Sequence, residues 1–151
     1  MRYNNTESFV ERRISMENPG MTDYTEWARE YFKDDRFATK TTGVVIEEAR
    51  EGYARCTLKI EDKHLSAMNT VMGGALFTIA DFTFAVAANS GQQHTVLMTS
   101  SIVYLSPARG SVITAEANCI KSGKRTCTYC VDIFDENGVK VVTATCVGHR
   151  I

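Results

Sequence analysis

VMGGALFTIADFTFAVAA, residues 71–88, is apolar on every side of a helix. Its eighteen residues approach the length of a membrane span. Asp81 sits mid-stretch, however, where a carboxylate at a bilayer centre costs about 2.5–3.5 kcal/mol. Thr78 and Thr83 add polarity, and no basic flank follows. A helix that is hydrophobic all round in a water-soluble chain is a buried helix. The stretch therefore predicts one long central helix over Gly73–Asn89 and no membrane span.

Working outward, the periodicity changes from helical to alternating. Thr41–Ala49 and Tyr53–Ile60 are β-prone runs joined at Arg50-Glu51-Gly52, a hairpin signal. Beyond the helix lie Thr95–Ser106, Ser111–Ile120, Arg125–Phe134 and Val139–Gly148, separated by Pro107–Gly110, Ser122–Lys124 and Asp135–Gly138. The order strand, strand, helix and four strands predicts an α+β fold: an antiparallel six-stranded sheet wrapped around the central helix. In two strands the faces set the register. Ile113, Ala115, Ala117 and Cys119 must pair with Cys127, Tyr129, Val131 and Ile133, odd with odd. That parity needs an odd-length loop or a bulge. Ser122-Gly123-Lys124 as a three-residue loop would bring Cys119 near Cys127, both on the buried face.

The chain has 151 residues, 44% of them hydrophobic and 23% charged, which fits one soluble domain. A net charge of −1 excludes a polybasic nucleic-acid coat and an acidic disordered tail. Residues 1–40 hold fifteen of the thirty-five charged residues, so the division falls there: an extension over 1–40 and the sheet-and-helix domain over 41–151. Within the extension, Tyr24, Trp27, Ala28 and Tyr31 recur at helical spacing in Asp23–Phe32, a short amphipathic helix packed through Trp27. The N-terminus lacks an apolar segment of the secretory type and the five cysteines are an odd number, so a cytoplasmic location is expected. Cys127-Thr-Tyr-Cys130 on a strand points its thiols to opposite faces, and His64, His94 and His149 are far apart. No metal site is expected.

The run His64-Leu-Ser-Ala-Met-Asn-Thr-Val-Met-Gly-Gly-Ala-Leu-Phe-Thr-Ile-Ala-Asp81 resembles the signature of the hotdog-fold acyl-CoA thioesterases, and is most similar to their phenylacetate-degradation (PaaI-type) branch. The resemblance continues through Tyr104-Leu-Ser-Pro-Ala-Arg-Gly110, Ser122–Thr126 and Asp135–Gly138, so it spans about residues 40–150. It implies the hotdog fold and hydrolysis of an acyl- or aryl-acyl-CoA to free acid and coenzyme A, with no cofactor beyond the substrate. A homodimer, paired into a homotetramer, is the assembly it implies. His64, Gly73, Gly74 and Asp81 match the family pattern, while its asparagine falls on Ser66, its glycine on Asn69 and its histidine on Met72.

Thioester hydrolysis needs a polarised carbonyl and an attacking water or carboxylate. The N–H groups at the N-terminus of the Gly73 helix suit a developing oxyanion, and glycines at 73 and 74 permit close approach. Asp81 lies two turns along, too far to serve its own helix terminus. The resemblance implies that it acts in the partner subunit's site as nucleophile or general base. By the same resemblance Thr99 and Ser100 match a hydroxyl that assists the attacking water, and Arg109, Lys121, Lys124 and Arg125 would meet the phosphates of coenzyme A. These four are otherwise solvated turn charges. Ser66 and Asn69 are candidates for substrate contact or for loop capping, and Met72 for lining the acyl pocket. Ser66 and Met72 in place of the family residues motivate a second reading, a non-catalytic acyl-CoA-binding sensor or scaffold. A third, an enoyl-CoA hydratase or dehydratase, would use His64 as its acid/base.

Overall fold

The computed structural model describes residues 23–151. In chain order it contains α1 (Thr25–Tyr31), a π-helical turn (Phe37–Thr42), β1 (Val44–Arg50), β2 (Tyr53–Lys59), a 3-10 turn (Asp62–His64), α2 (Gly73–Asn89), β3 (Thr95–Tyr104), β4 (Val112–Ser122), β5 (Thr126–Phe134) and β6 (Lys140–Arg150). The stretch ending at Pro19-Gly20 lies outside the described residues.

The predicted central helix forms over Gly73–Asn89, with no proline to interrupt it and its glycines confined to the first turn. Its side chains Leu76, Ile79, Ala80, Phe82, Phe84, Val86, Ala87 and Ala88 are buried. The buried Thr83 hydroxyl donates to the Ile79 carbonyl at 2.6 Å, so it carries no unmet donor into the core. At the C-terminus, buried Asn89 donates to the Ala85 and Thr95 carbonyls (2.8 and 3.1 Å) and accepts the Thr95 N–H (2.9 Å), fastening the helix to the start of β3.

All six strands are antiparallel in the order β1-β2-β4-β5-β6-β3. Ala54, Ala115 and Ala117 are fully buried beneath α2, and their small side chains let the helix lie close. Leu58, Ile113, Tyr129, Val131, Ile133 and Val142 complete the sheet side of the core.

Two local expectations are corrected. The first strand begins at Val44 rather than Thr41, because residues 37–42 wind into the π-helical turn that ends at Gly43, φ +89°. The hairpin between β4 and β5 closes on the pair Ser122↔Cys127, leaving four residues in the turn. A bulge at Ile120 then restores the odd-with-odd pairing, so Cys119, half-buried, directly opposes Tyr129, while it still lies near Cys127 as expected. All five cysteines are free thiols. As expected, α1 packs on the domain through half-buried Trp27, which stacks on Tyr31 at 4.8 Å, and buried Ala28 and Thr25 add to that contact. The Thr25 hydroxyl takes the Ala49 N–H at 3.0 Å, and the Arg29 guanidinium donates to the Ile46 carbonyl at 2.9 and 3.0 Å.

At Gly148 the sheet passes close against the helix. A β-carbon there would stand 2.5 Å from Thr95, 2.8 Å from the Phe84 ring and 2.9 Å from the Cys127 sulfur. Gly148→Ala is expected to destabilise the fold by about 1–3 kcal/mol, the usual cost of overpacking. Urea denaturation measures it, and an unchanged midpoint would show that the contact relaxes freely.

Candidate active site

The loop before α2 is built around its polar residues. Leu65 and Val71 bridge as an antiparallel pair, and the turn between them is closed by Ser66 N–H to the Thr70 carbonyl (2.8 Å) and Asn69 N–H to the Ser66 carbonyl (2.9 Å). The Ser66 hydroxyl accepts the Met68 N–H (3.2 Å) and meets the Thr70 hydroxyl at 3.0 Å. Asn69 has φ +58°, the left-handed region that asparagine tolerates better than other residues with a β-carbon. Both candidate residues thus hold the turn. His64 is buried, its Nδ1 accepting the Glu61 N–H (2.9 Å) and its Nε2 donating to the Thr42 carbonyl (2.8 Å). With both nitrogens engaged in joining the 3-10 turn to the π-helical turn, it is not placed as the acid/base of a dehydratase.

The terminus of α2 is open. Met72 occupies the N-cap without a side-chain cap, and its carbonyl takes the Ala75 and Leu76 N–H groups at 2.9 and 3.2 Å. The Gly73 and Gly74 N–H groups have no partner among the described residues. The two glycines differ in their surroundings. A β-carbon on Gly73 would press on the Tyr104 ring at 3.3 Å, and the Tyr104 hydroxyl donates to the Gly73 carbonyl at 3.1 Å. Gly74 is exposed, with only the tip of Met72 nearby. It opens on a cavity of about 310 Å³ between α2 and the π-helical turn, lined by Phe37, Thr42, His64, Met72 and Thr78.

Asp81 opens on a different cavity, of about 300 Å³, beside Phe84, Asn89 and Leu97. Its half-buried carboxylate accepts no hydrogen bond among the described residues. Burial, and secondarily the negative charge of Asp35, pushes its pKa above the ordinary carboxylate value. Ser100 is half-buried, with its hydroxyl 3.5 Å from the Cys146 sulfur, while Thr99 is exposed. The Cys146 thiol is pushed up mainly by burial and also by the Asp81 charge, so Asp81 and Ser100 flank one thiol. Gly74 and Asp81 lie on one face of α2, seven residues or ~10 Å apart.

A model of the thioesterase superfamily matches residues 68–142, which include the open helix terminus, Asp81 and Ser100. Acyl-coenzyme A thioesterase PaaI of Escherichia coli is 31% identical over 125 residues, covering 82% of this chain and 89% of that protein. This chain belongs to the thioesterase superfamily. The solved structure of the E. coli PaaI protein superposes with a TM-score of 0.81 at 28% identity, over 87% of this chain and 96% of that one, and the fold is the hotdog. A hypothetical thioesterase protein from Streptococcus pneumoniae TIGR4, solved with coenzyme A, matches at TM-score 0.74 and 29% identity, over 80% and 96% of the two chains.

Within a single copy of this thioesterase, the four candidate cations do not come together. Arg109 lies in the β3–β4 loop, where its N–H meets the Asp135 carboxylate at 3.1 Å, at the end of the molecule that holds Gly73. Lys121, Lys124 and Arg125 lie around the β4–β5 turn, beside Ser122, which reaches Gln92 and Arg150 past the other end of α2. Sequence patterning also missed the walls of the Asp81 cavity. Tyr31 belongs to the helical spacing that marked α1 as a packing helix and Phe32 ends that segment, but both line that cavity. Among the described residues no helix is long and apolar enough to cross a membrane.

A carboxyl whose pKa is raised by folding favours the folded state while protonated, and that contribution is lost as pH rises from the unfolded value through the folded one. Asp81→Asn is therefore expected to raise the Tm at pH 7, with the gain vanishing in acid. A lower Tm at pH 7 would show that the carboxylate holds a stabilising partner.

Proposed function

We propose that this chain is an acyl-CoA thioesterase whose site is shared by two copies, with the substrate carbonyl polarised by the Gly73 and Gly74 N–H groups and attacked by, or through, the partner subunit's Asp81. The observation that carries the proposal is the separation of donors and carboxylate. They lie on one face of α2, ~10 Å apart, and each opens on its own cavity. That face is the part of the helix which its own sheet leaves uncovered: Gly74 is exposed, and Thr78, Asp81 and Ala85 are half-buried. Antiparallel pairing with the same face of a second copy would set each Asp81 against the partner's helix terminus and join the unlike cavities.

The edge of the sheet supports this assembly. Among the described residues, strand β3 pairs only with β6, and it carries Val96, Met98 and Val103 about half exposed, an apolar edge suited to a second copy. The same pairing would bring Lys121, Lys124 and Arg125 of one copy toward the Arg109 side of the other, where the phosphates of coenzyme A need cations. Pairing of dimers into a tetramer rests on the family resemblance.

In this mechanism the oxygen of the thioester carbonyl gathers negative charge as the tetrahedral intermediate forms, and the helix-terminal N–H groups stabilise it. As general base Asp81 takes a proton from the attacking water; as nucleophile it forms an anhydride that water then opens. Either way the C–S bond breaks, the thiolate of coenzyme A leaves and takes up a proton, and the acid is released. Ser100 stands near the carboxylate where it can orient the water, with exposed Thr99 beside it. Likeness to relatives favours a coenzyme A ester as substrate: one matched protein is named an acyl-coenzyme A thioesterase and another was solved with coenzyme A.

Thiol release from a panel of acyl-CoAs is expected for the wild type and should fall about 10²–10⁴-fold in kcat/KM for Asp81→Asn, the range for loss of a general base. Acyl-CoA binding without any turnover would replace this reading with the non-catalytic binding protein. Because Asp81 must be ionised, the acidic limb of kcat/KM should lie above the ordinary carboxylate range, and Asp35→Asn should move it to lower pH. A fixed limb would remove Asp81 as the titrating group. Sedimentation should show at least a dimer; a monomer active at all concentrations would refute the shared site.

A further inference from the structure

The cavity at Asp81 runs along α2 from Asp81 past Ala85 to Asn89, which lie at successive four-residue steps on one helix face and span ~12 Å. An acyl group whose carbonyl sits at Asp81 would extend along that path. Phe84, Val96 and Leu97 give the cavity apolar walls, with His94 and Thr95 beside them. The lining that comes from outside the stretch matched by the family model is Ile151 and, at the end of α1, Tyr31 and Phe32.

Resting on the thioesterase reading, we propose that α1 is the ruler of the acyl site: the Tyr31 ring ends the cavity and, with Phe32 as its side wall, limits the length of acyl chain that the enzyme accepts. Several contacts make this wall firm. The Tyr31 hydroxyl is hydrogen-bonded to His94 Nδ1 at 3.1 Å, so the side chain spans from α1 to the segment just beyond Asn89. Its ring is backed by Trp27, stacked at 4.8 Å, and meets Phe32 edge-on at 4.9 Å. Phe32 in turn abuts buried Phe82 of α2, edge-on at 5.5 Å. The ring is thus buttressed from α1 and from α2, while the helix itself is anchored elsewhere, through Thr25, Ala28 and Arg29. Length sets the class of substrate: the ~12 Å path from Asp81 to Asn89 accommodates a compact acyl group, aromatic or of medium length, and excludes the far end of a long fatty acyl chain.

The test is kcat/KM for butyryl-, octanoyl-, lauroyl- and palmitoyl-CoA with the full chain. Wild type should decline beyond octanoyl. Tyr31→Ala should raise the lauroyl-to-butyryl ratio about tenfold or more, since a single methylene admitted to or excluded from an apolar pocket is worth that much. Tyr31→Phe, which keeps the ring and loses the bond to His94, should retain the wild-type ratio. Equal losses at every chain length in Tyr31→Ala, or a shift in Tyr31→Phe as large as in Tyr31→Ala, would overturn the ruler. If Tyr31→Ala does not fold, Tyr31→Leu preserves apolar burial and opens the same end, with the same ratio expected to rise. Should wild type hydrolyse no acyl-CoA, the thioesterase reading fails while the ruler is still tested, because Kd for the same four ligands must then show the chain-length dependence and its shift in Tyr31→Ala.

Discussion

A helix that is apolar all round has to be covered all round, and this requirement governs the whole molecule. The six strands wrap α2 on the side of Ile79, Phe82, Thr83, Val86 and Ala87, and they place small residues beneath it so that it lies close. Residues 37–42 and Phe32, just beyond α1, cover further parts. The stripe Gly74, Thr78, Asp81 and Ala85 is left. On that stripe lie the open N–H groups and a carboxylate whose ionisation burial opposes, two features a purely structural helix would avoid. The same incomplete coverage that costs the single chain stability makes a surface for chemistry.

Much of this was legible in residue patterns. Asp81 is conspicuous because a carboxylate in an apolar helix needs a reason, and Gly73-Gly74 is conspicuous because a helix beginning on two glycines leaves its first donors uncovered. Odd-with-odd pairing of β4 and β5 follows from which faces are apolar. How the chain achieves that pairing is not legible: a three-residue loop and a four-residue turn with a bulge at Ile120 satisfy the same parity. Side-chain alternation constrains parity alone, and a shift of two residues leaves every face as it was.

The polar residues of the loop before α2 show a second limit. Ser66 and Asn69 occupy positions where the family pattern has an asparagine and a glycine, and residue type alone permits either a ligand contact or a turn. Their hydrogen bonds and the positive φ of Asn69 show that both hold the turn, which residue type alone did not. His64 is similar: a histidine beside a site invites an acid/base role, and only its two backbone partners show it bracing two turns against each other. The cations illustrate the converse, since Arg109 and the β4–β5 group look equivalent as turn charges and yet stand at opposite ends of the helix.

By itself the sequence determined the buried central helix, the six alternating strands, the family signature from His64 to Asp81, and the two groups proposed to polarise and attack a thioester. Those follow from local periodicity and residue chemistry, which depend on near neighbours along the chain. Tertiary structure alone decided that the helix terminus and Asp81 face separate cavities, that Asp35 lies close enough to raise the Asp81 pKa, and that Tyr31 and Phe32 wall the space beside it. Each of these joins residues tens of positions apart or concerns which side of a helix remains bare. Packing in three dimensions sets such distances, and no spacing along the chain encodes them.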